Sequence, residues 1–237
     1  MRRALRAINA ATVGRAVTAC PLWHNDFMGR ERYVTWLVAA GLLAALAGAW
    51  LANTMRAPST PVLQSGTWLP LPRALPDMQL LDQTGATVGA ARLQGHPSLV
   101  FFGFTNCPDV CPTTLTMLTR AQTQVSIPGL EVVLVTVDPE RDTPRQLAQY
   151  LQAFHGPAAQ GPMLGLTGDQ PELDHLMRTL GVAAARTDMP GGNYMIDHSA
   201  TVFLLNSAGE NVAIFSPPFE RDSLVNDLRA LSARLGS

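Results

Sequence analysis

The stretch Ser98–Leu115 reads SLVFFGFTNCPDVCPTTL. Its first half is an apolar run that stops at Thr105, the pattern of a strand buried on both faces. Cys107 and Cys111 follow, each trailed by a proline, and a polar helix-starting segment comes next. A buried strand therefore delivers two thiols to the edge of a sheet.

The flanking sequence builds a layered domain around that strand. Pro112–Ser126 carries Leu115, Leu118 and Val125 at roughly helical spacing and is stopped by Pro128-Gly129. Glu131–Val137 (EVVLVTV) is a second buried strand. The two strands should run parallel, joined by a right-handed helical crossover. Upstream, Met78–Leu81 and Thr87–Val88 flank the hairpin signal Asp82-Gln83-Thr84-Gly85. Downstream, Thr143-Pro144-Arg145-Gln146 is a capping box that opens a helix to about His155. Asp169-Gln170-Pro171-Glu172 opens another, to about Leu180. Ala183 to Asp197 reads as a Gly/Pro-rich loop. Strands Ala200–Leu205 and Val212–Phe215 turn at Asn206–Gly209, and Glu220–Leu235 is an amphipathic helix. A central mixed sheet flanked by helices is an α/β layer fold.

The chain has 237 residues and a formal net charge of −1, so it offers no broad electrostatic partner such as nucleic acid. Every basic side chain is Arg, which we read as the imprint of a GC-rich, bacterial genome. Residues 33–52 contain no charge and are long enough to span a bilayer as a helix. Trp36 and Trp50 stand near its two ends, and Arg30 and Arg32 precede it. The positive-inside rule then leaves segment 1–32 in the cytoplasm and exports the rest. Ala47-Gly48-Ala49 resembles a signal-peptidase site, but the apolar run exceeds a usual signal h-region, so a retained anchor is favoured. The Arg-rich start resembles a mitochondrial transit peptide; a true start at Met28 is the simpler reading. Cys20 follows no apolar segment and is incidental. Residues 53–75 hold Pro58, Pro61, Pro70 and Pro72 and read as a semi-extended tether. Residues 76–237 suffice for one well-cored domain.

Open α/β sheets place ligand sites beyond the carboxyl ends of their strands. Cys107, Cys111 and Asp138 should therefore share one mouth. Pro112 at the first helical position makes Cys111 the N-cap, where the helix dipole favours a thiolate. In a helix-like turn the two Cα atoms lie about 6 Å apart, which suits a disulfide or a shared metal. Pro108, Asp109 and Pro112 argue for an exposed turn and against inert core thiols. A purely structural disulfide stays open, because the exported compartment is oxidising. Of the histidines, His24 lies outside the domain, and His96, His155 and His175 read as structural or solvated. His198 directly precedes a strand, after the long loop. Position alone leaves it open between a structural residue and a ligand. Two thiolates with one imidazole suit Cu(I) and also accept Cu(II). A structural zinc would need a fourth ligand, for which Asp138 or Asp197 is available.

Four segments occur in order: Pro97–Leu115 with its C-x₃-C, Asp138–Pro144 (DPERDTP), the Gly165-Leu166-Thr167-Gly168 turn, and Tyr194–Ser199 (YMIDHS). Together they resemble the Sco/SenC family of copper-binding assembly proteins over about residues 76–235. The resemblance implies a thioredoxin-like fold behind a single membrane anchor. It implies one bound copper and a role in maturing the copper A centre of cytochrome c oxidase subunit II. Cys107 and Cys111 match the family's thiolate ligands and His198 its imidazole ligand. Asp138 matches an acidic motif, and Asp197, beside His198, is a further accessory candidate. Arg141 is read as an ion-pair partner; Met189 and Met195 are read as packing rather than as soft ligands. Thioredoxins carry C-x₂-C, and they carry a proline where this chain has His198 and Ser199. The resemblance implies a copper chaperone in the inner membrane facing the periplasm, or alternatively in the mitochondrial inner membrane facing the intermembrane space. Other copper chaperones or thiol-disulfide reductases would be further partners. A thiol-disulfide oxidoreductase acting on the target's cysteines, with Cys107 and Cys111 as catalytic residues, is the competing reading. A redox or copper sensor is the third.

Overall fold

The computed structural model of the protein describes residues 26–54, 61–154, 161–218 and 220–235. They fall into two units, one ending at Ser59 and one beginning at Thr60. The first unit contains helix α1 (Asp26–Thr54). Its stretch Arg32–Thr54 is 23 residues long with a mean hydropathy of 1.9, long and apolar enough to cross a membrane. Cys20 and His24 lie outside the described residues, as do the Arg-rich start and His155.

The second unit runs, in chain order, β1 (Gly66–Ala74), β2 (Leu80–Asp82), β3 (Thr87–Val88), β4 (Ser98–Gly103), α2 (Val110–Gln124), β5 (Glu131–Thr136), α3 (Pro144–Gln152), β6 (Met163–Thr167), α4 (Gln170–Leu180), β7 (Ala184–Asp188), β8 (Tyr194–His198), β9 (Val202–Leu205), β10 (Glu210–Phe215) and α5 (Arg221–Leu231). Eight strands form one sheet in the order β1-β10-β9-β4-β5-β6-β2-β3, and β7 and β8 pair separately. β4 and β5 lie side by side and parallel, from Ser98 opposite Glu131 to Gly103 opposite Thr136. Every residue of both strands is buried, as their unbroken apolar runs require. β9 pairs antiparallel with the other edge of β4. The sheet is thus mixed, and α2, packed on β5 and α5, and α3, packed on β6, cover it.

The Thr143 hydroxyl caps α3 by accepting from the Gln146 N–H at 3.3 Å, with Pro144 in the first turn. Gly181, at φ 75°, ends α4 in the left-handed conformation. The Asp82 carboxylate accepts from the Thr84 and Ala86 N–H groups and shapes the β2–β3 hairpin.

Four local readings change. Gly66–Ala74, inside the stretch read as a tether, is strand β1, paired antiparallel with β10. It is the outermost strand and its register shifts between Trp68 and Arg73, so Pro70 and Pro72 are tolerated there. The segment Gly165–Gly168, read as a turn, lies largely within the buried strand β6, parallel to β5. The segment read as a loop between Ala183 and Asp197 is the β7–β8 hairpin, with Gly191 and Gly192 both at positive φ between the strands. Helix α2 starts at Val110 with Asp109 as N-cap, so Cys111 lies inside the first turn rather than at its cap. Pro112 still fits, because the first-turn N–H groups have no helical acceptor.

Candidate metal centre

The end of β4 and the start of α2 set both sulfurs. The Cys107 N–H donates to the Phe104 carbonyl at 3.3 Å, closing the turn after the strand. The Asp109 side chain does not cap α2. Instead the Cys111 N–H donates to the Cys107 sulfur at 3.4 Å. A sulfur atom thus satisfies one of the orphan donors of the first turn, where the helix dipole favours negative charge. Cys107 is half-buried and Cys111 fully buried. Burial is the main cause pushing the Cys111 thiol well above its ordinary range, and the hydrogen bond with Cys107 adds to it. Gly103 makes room for this sulfur: a Cβ there would stand 3.0 Å from the Cys111 Sγ and 2.9 Å from the Phe101 ring.

His198 comes from the end of β8. Its Nδ1 lies 3.2 Å from the Ser199 carbonyl, so Nδ1–H donates there and Nε2 keeps its lone pair. That Nε2 lies 3.4 Å from the Cys111 sulfur. Phe101 and Phe104 meet the imidazole edge-on, at centroid distances of 6.0 and 5.7 Å. Burial lowers its pKa and favours the neutral, ligating form. The Cys107, Cys111 and His198 ligand atoms all lie within 4.8 Å of one another, close enough for one ion to bridge them. Two sulfurs and one imidazole nitrogen are a soft set, suited to copper.

The two acidic candidates stand apart from this cluster. Asp138 is buried, and its carboxylate takes the Arg141 Nε–H on one oxygen and the Tyr194 hydroxyl at 2.7 Å on the other. Arg141 is an ion-pair partner as expected, and its partner lies within the fold. Asp197 is exposed, opposite Ala185 in the hairpin. Met189 and Met195 are exposed on the hairpin rather than packed. Sequence reasoning passed over Gly103, Asp142 and Tyr194. A glycine at the end of an all-apolar strand was the available signal for Gly103; Tyr194 shares alternation with His198 along β8.

A model of the SCO1/SenC family matches residues 72–233. The chain belongs to that family. A putative copper-binding protein of Stutzerimonas stutzeri is 35% identical over 159 residues, covering 66% of this chain and 76% of that protein. The mitochondrial SCO2 homolog of Homo sapiens is 36% identical over 186 residues, covering 74% of this chain and 66% of that protein. Among solved structures, copper-bound ScoI of Arabidopsis thaliana superposes with a TM-score of 0.61 at 30% identity, over 68% of this chain and 98% of that one. Apo Sco1 of Thermus thermophilus gives 0.61 at 37% identity, over 73% and 99%. As a SCO1/SenC protein the chain has the thioredoxin-like α/β architecture of these structures, with a C-x₃-C turn where thioredoxins carry C-x₂-C.

Proposed function

We propose that this chain is a membrane-anchored copper chaperone. It holds one copper ion, as cargo, through the sulfurs of Cys107 and Cys111 and Nε2 of His198. It serves maturation of the copper A centre in cytochrome c oxidase subunit II. One observation carries the reading: two free thiols and an imidazole whose other nitrogen is already committed converge within 4.8 Å. A redox pair alone has no use for that nitrogen. The donor set is soft and three-membered, whereas a structural zinc site would take four ligands. Desolvation opposes a bare Cys111 thiolate, so deprotonation is coupled to arrival of the cation. Cys107 is the more exposed ligand and the one a partner's thiol would reach first in ligand exchange.

The likeness to copper-bound ScoI of Arabidopsis thaliana supports the cargo. The apolar helix and the arginines before it support a single-pass protein of the bacterial inner membrane, with the site in the periplasm. A mitochondrial inner-membrane protein facing the intermembrane space is the alternative, and relatives named as mitochondrial keep it in view. The test is copper titration of the reduced full chain in detergent micelles. One copper per chain, with sulfur and imidazole signals in its X-ray absorption spectrum, is expected. No copper uptake overturns the reading. If the two thiols still reduce a disulfide substrate in that case, the second reading stands, a thiol-disulfide oxidoreductase. It is favoured by the pairing of a reachable Cys107 with a buried, resolving Cys111.

A further inference from the structure

The ligands come from two separately supported pieces: the turn after β4 carries the sulfurs, and the β7–β8 hairpin carries the imidazole. β7 and β8 pair only with each other among the described residues, so ladder bonds to the main sheet do not place His198. The turn 138–142 touches both pieces. On one side, Asp142 is fully buried and accepts from the Thr105 N–H at 3.0 Å and the Thr105 hydroxyl at 2.5 Å. Thr105 lies two residues before Cys107. The Thr136 hydroxyl, on β5, also binds Asp142, at 2.6 Å. On the other side, Asp138 accepts from the Tyr194 hydroxyl, and Arg141 Nη1 donates to the Tyr194 carbonyl at 3.3 Å. Two guanidinium groups, those of Arg141 and Arg186, lie over the Tyr194 ring, each 3.7 Å from its centroid. Arg186 in turn bonds Glu140 of the same turn at 2.9 Å. The turn closes on itself through the Arg141 and Asp142 N–H groups, both donating to the Asp138 carbonyl.

Tyr194 and His198 are the first and last residues of β8 and point to one face, with buried Ile196 between them. Anchoring the first fixes the direction of the last. We propose that Tyr194 is a positioning residue of the copper site. The Asp138–Asp142 turn, gripping Tyr194 on one side and Thr105 on the other, sets the His198 imidazole over the two sulfurs. Asp138 acts as the anchor of the hairpin and does not ligate. This rests on the three-ligand reading above, and the anchoring step can be measured with or without the metal.

The test uses the full chain in micelles, labelled with ¹³C at histidine Cε1, as wild type, Tyr194→Phe and Thr187→Ala. Tyr194→Phe keeps the ring against the guanidiniums and removes only the hydroxyl, with its bonds to Asp138 and, at 3.4 Å, to Glu140 of the same turn. Thr187→Ala changes an exposed side chain of the same hairpin. In the copper-free state, Tyr194→Phe should shift and broaden the His198 signal while Thr187→Ala leaves it in place. With copper, Tyr194→Phe should weaken retention roughly tenfold, the lower end of what outer partners of metal ligands contribute. If wild type takes up no copper but the signal still broadens in Tyr194→Phe, the chaperone reading falls and the positioning role stands. If Tyr194→Phe leaves both the signal and the affinity at wild-type values, the positioning role is wrong. Equal losses in Thr187→Ala would also overturn it, because any change to the hairpin would then suffice.

Discussion

The Nε2 of His198 lies 3.4 Å from the Sγ of Cys111, two residues 87 apart in sequence. The topology explains the contact. β4 runs toward the cysteine turn, and β9 pairs with it antiparallel, with Val202 opposite Phe101. The start of β9 therefore lies beside the end of β4, and the residues just before β9 fall next to the thiols. The β4–β9 pair thus brings this part of the chain beside the thiols, and the proposed anchor of Tyr194 on the Asp138–Asp142 turn would aim the imidazole at them.

Replacing His198 separates metal work from redox work. His198→Ala removes one ligand and leaves the Cys107–Cys111 turn intact. Copper affinity should drop by more than the roughly 10–100-fold typical of losing an outer partner. Formation and reduction of the Cys107–Cys111 disulfide should continue. Competition with a copper(I) chelator, alongside thiol counting after oxidation, checks both. Affinity equal to wild type would remove His198 from the site.

The buried thiol makes copper uptake depend on pH. Burial disfavours the Cys111 thiolate, and copper held through that sulfur as proposed would bind the thiolate, so one proton should leave Cys111 per ion bound. Affinity should rise about tenfold per pH unit on account of that proton alone. The same shift acts on the copper-free fold. An unfolded thiol ionises at about pH 8.5, whereas burial pushes folded Cys111 above that. Above that pH the unfolded state therefore binds fewer protons, and stability falls as pH rises. Urea midpoints of the reduced protein should decline between about pH 8 and 9.5. The decline should shrink in Cys111→Ala. A flat wild-type profile would show that Cys111 ionises freely in the fold.

The parts legible in sequence were those whose information is local. β4 and β5 announce themselves as unbroken apolar runs because both faces are buried. Thr143 and Gln146 announce α3 through a cap that needs only neighbouring residues. The parts that were missed depend on distant partners. β1 looks like a proline-rich tether, and only its pairing with β10, far along the chain, makes it a strand. All five residues of β7 are exposed, so no alternation marks it, and its identity comes from β8 across the Gly191-Gly192 connection. Cys107 and Cys111 were visible as a pair from spacing. His198 was singled out by resemblance, since nothing local separates it from a structural histidine. Asp138 is an accessory candidate in the sequence, and the hydrogen bond it accepts from Tyr194 could not be read there, because only the fold brings the two near.

Gly103 leaves room both for the Cys111 sulfur and for the packed side chains of β4 and β5 beside it. An alanine there would put its Cβ within 3.0 Å of the Cys111 sulfur, 2.9 Å of the Phe101 ring and 3.3 Å of Leu134. All three neighbours are fully buried, so relief must come from shifting packed groups. Gly103→Ala should destabilise the domain by about 1–3 kcal/mol, the usual range for overpacking. It should also displace one of the two sulfurs, so copper affinity falls with stability. Thermal unfolding of the copper-free protein and chelator competition measure the two effects. An unchanged copper affinity in a destabilised variant would mean that the sulfur keeps its place while the phenylalanine moves.

The junction that brings the chain into the sheet depends on one buried carboxylate. Asp227 of α5 is 2% exposed and accepts from the Gln64 N–H at 2.7 Å, the Ser65 N–H at 2.8 Å and the Ser65 hydroxyl at 2.8 Å. These residues immediately precede β1, so Asp227 fixes where the chain enters the sheet. Asp227→Ala strands three donors in a half-covered pocket and should cost about 1–3 kcal/mol. For a domain of this size that lowers Tm by roughly 2–4 °C per kcal/mol. Asp227→Asn retains one acceptor oxygen and should lie between Ala and wild type. Hydrogen exchange at Gln64, Ser65 and the β1 amides should accelerate in both variants, while exchange in β4 and β5 changes only with global stability. If β1 keeps its wild-type protection in Asp227→Ala, then pairing with β10 alone holds the strand, and the carboxylate has no part in placing it.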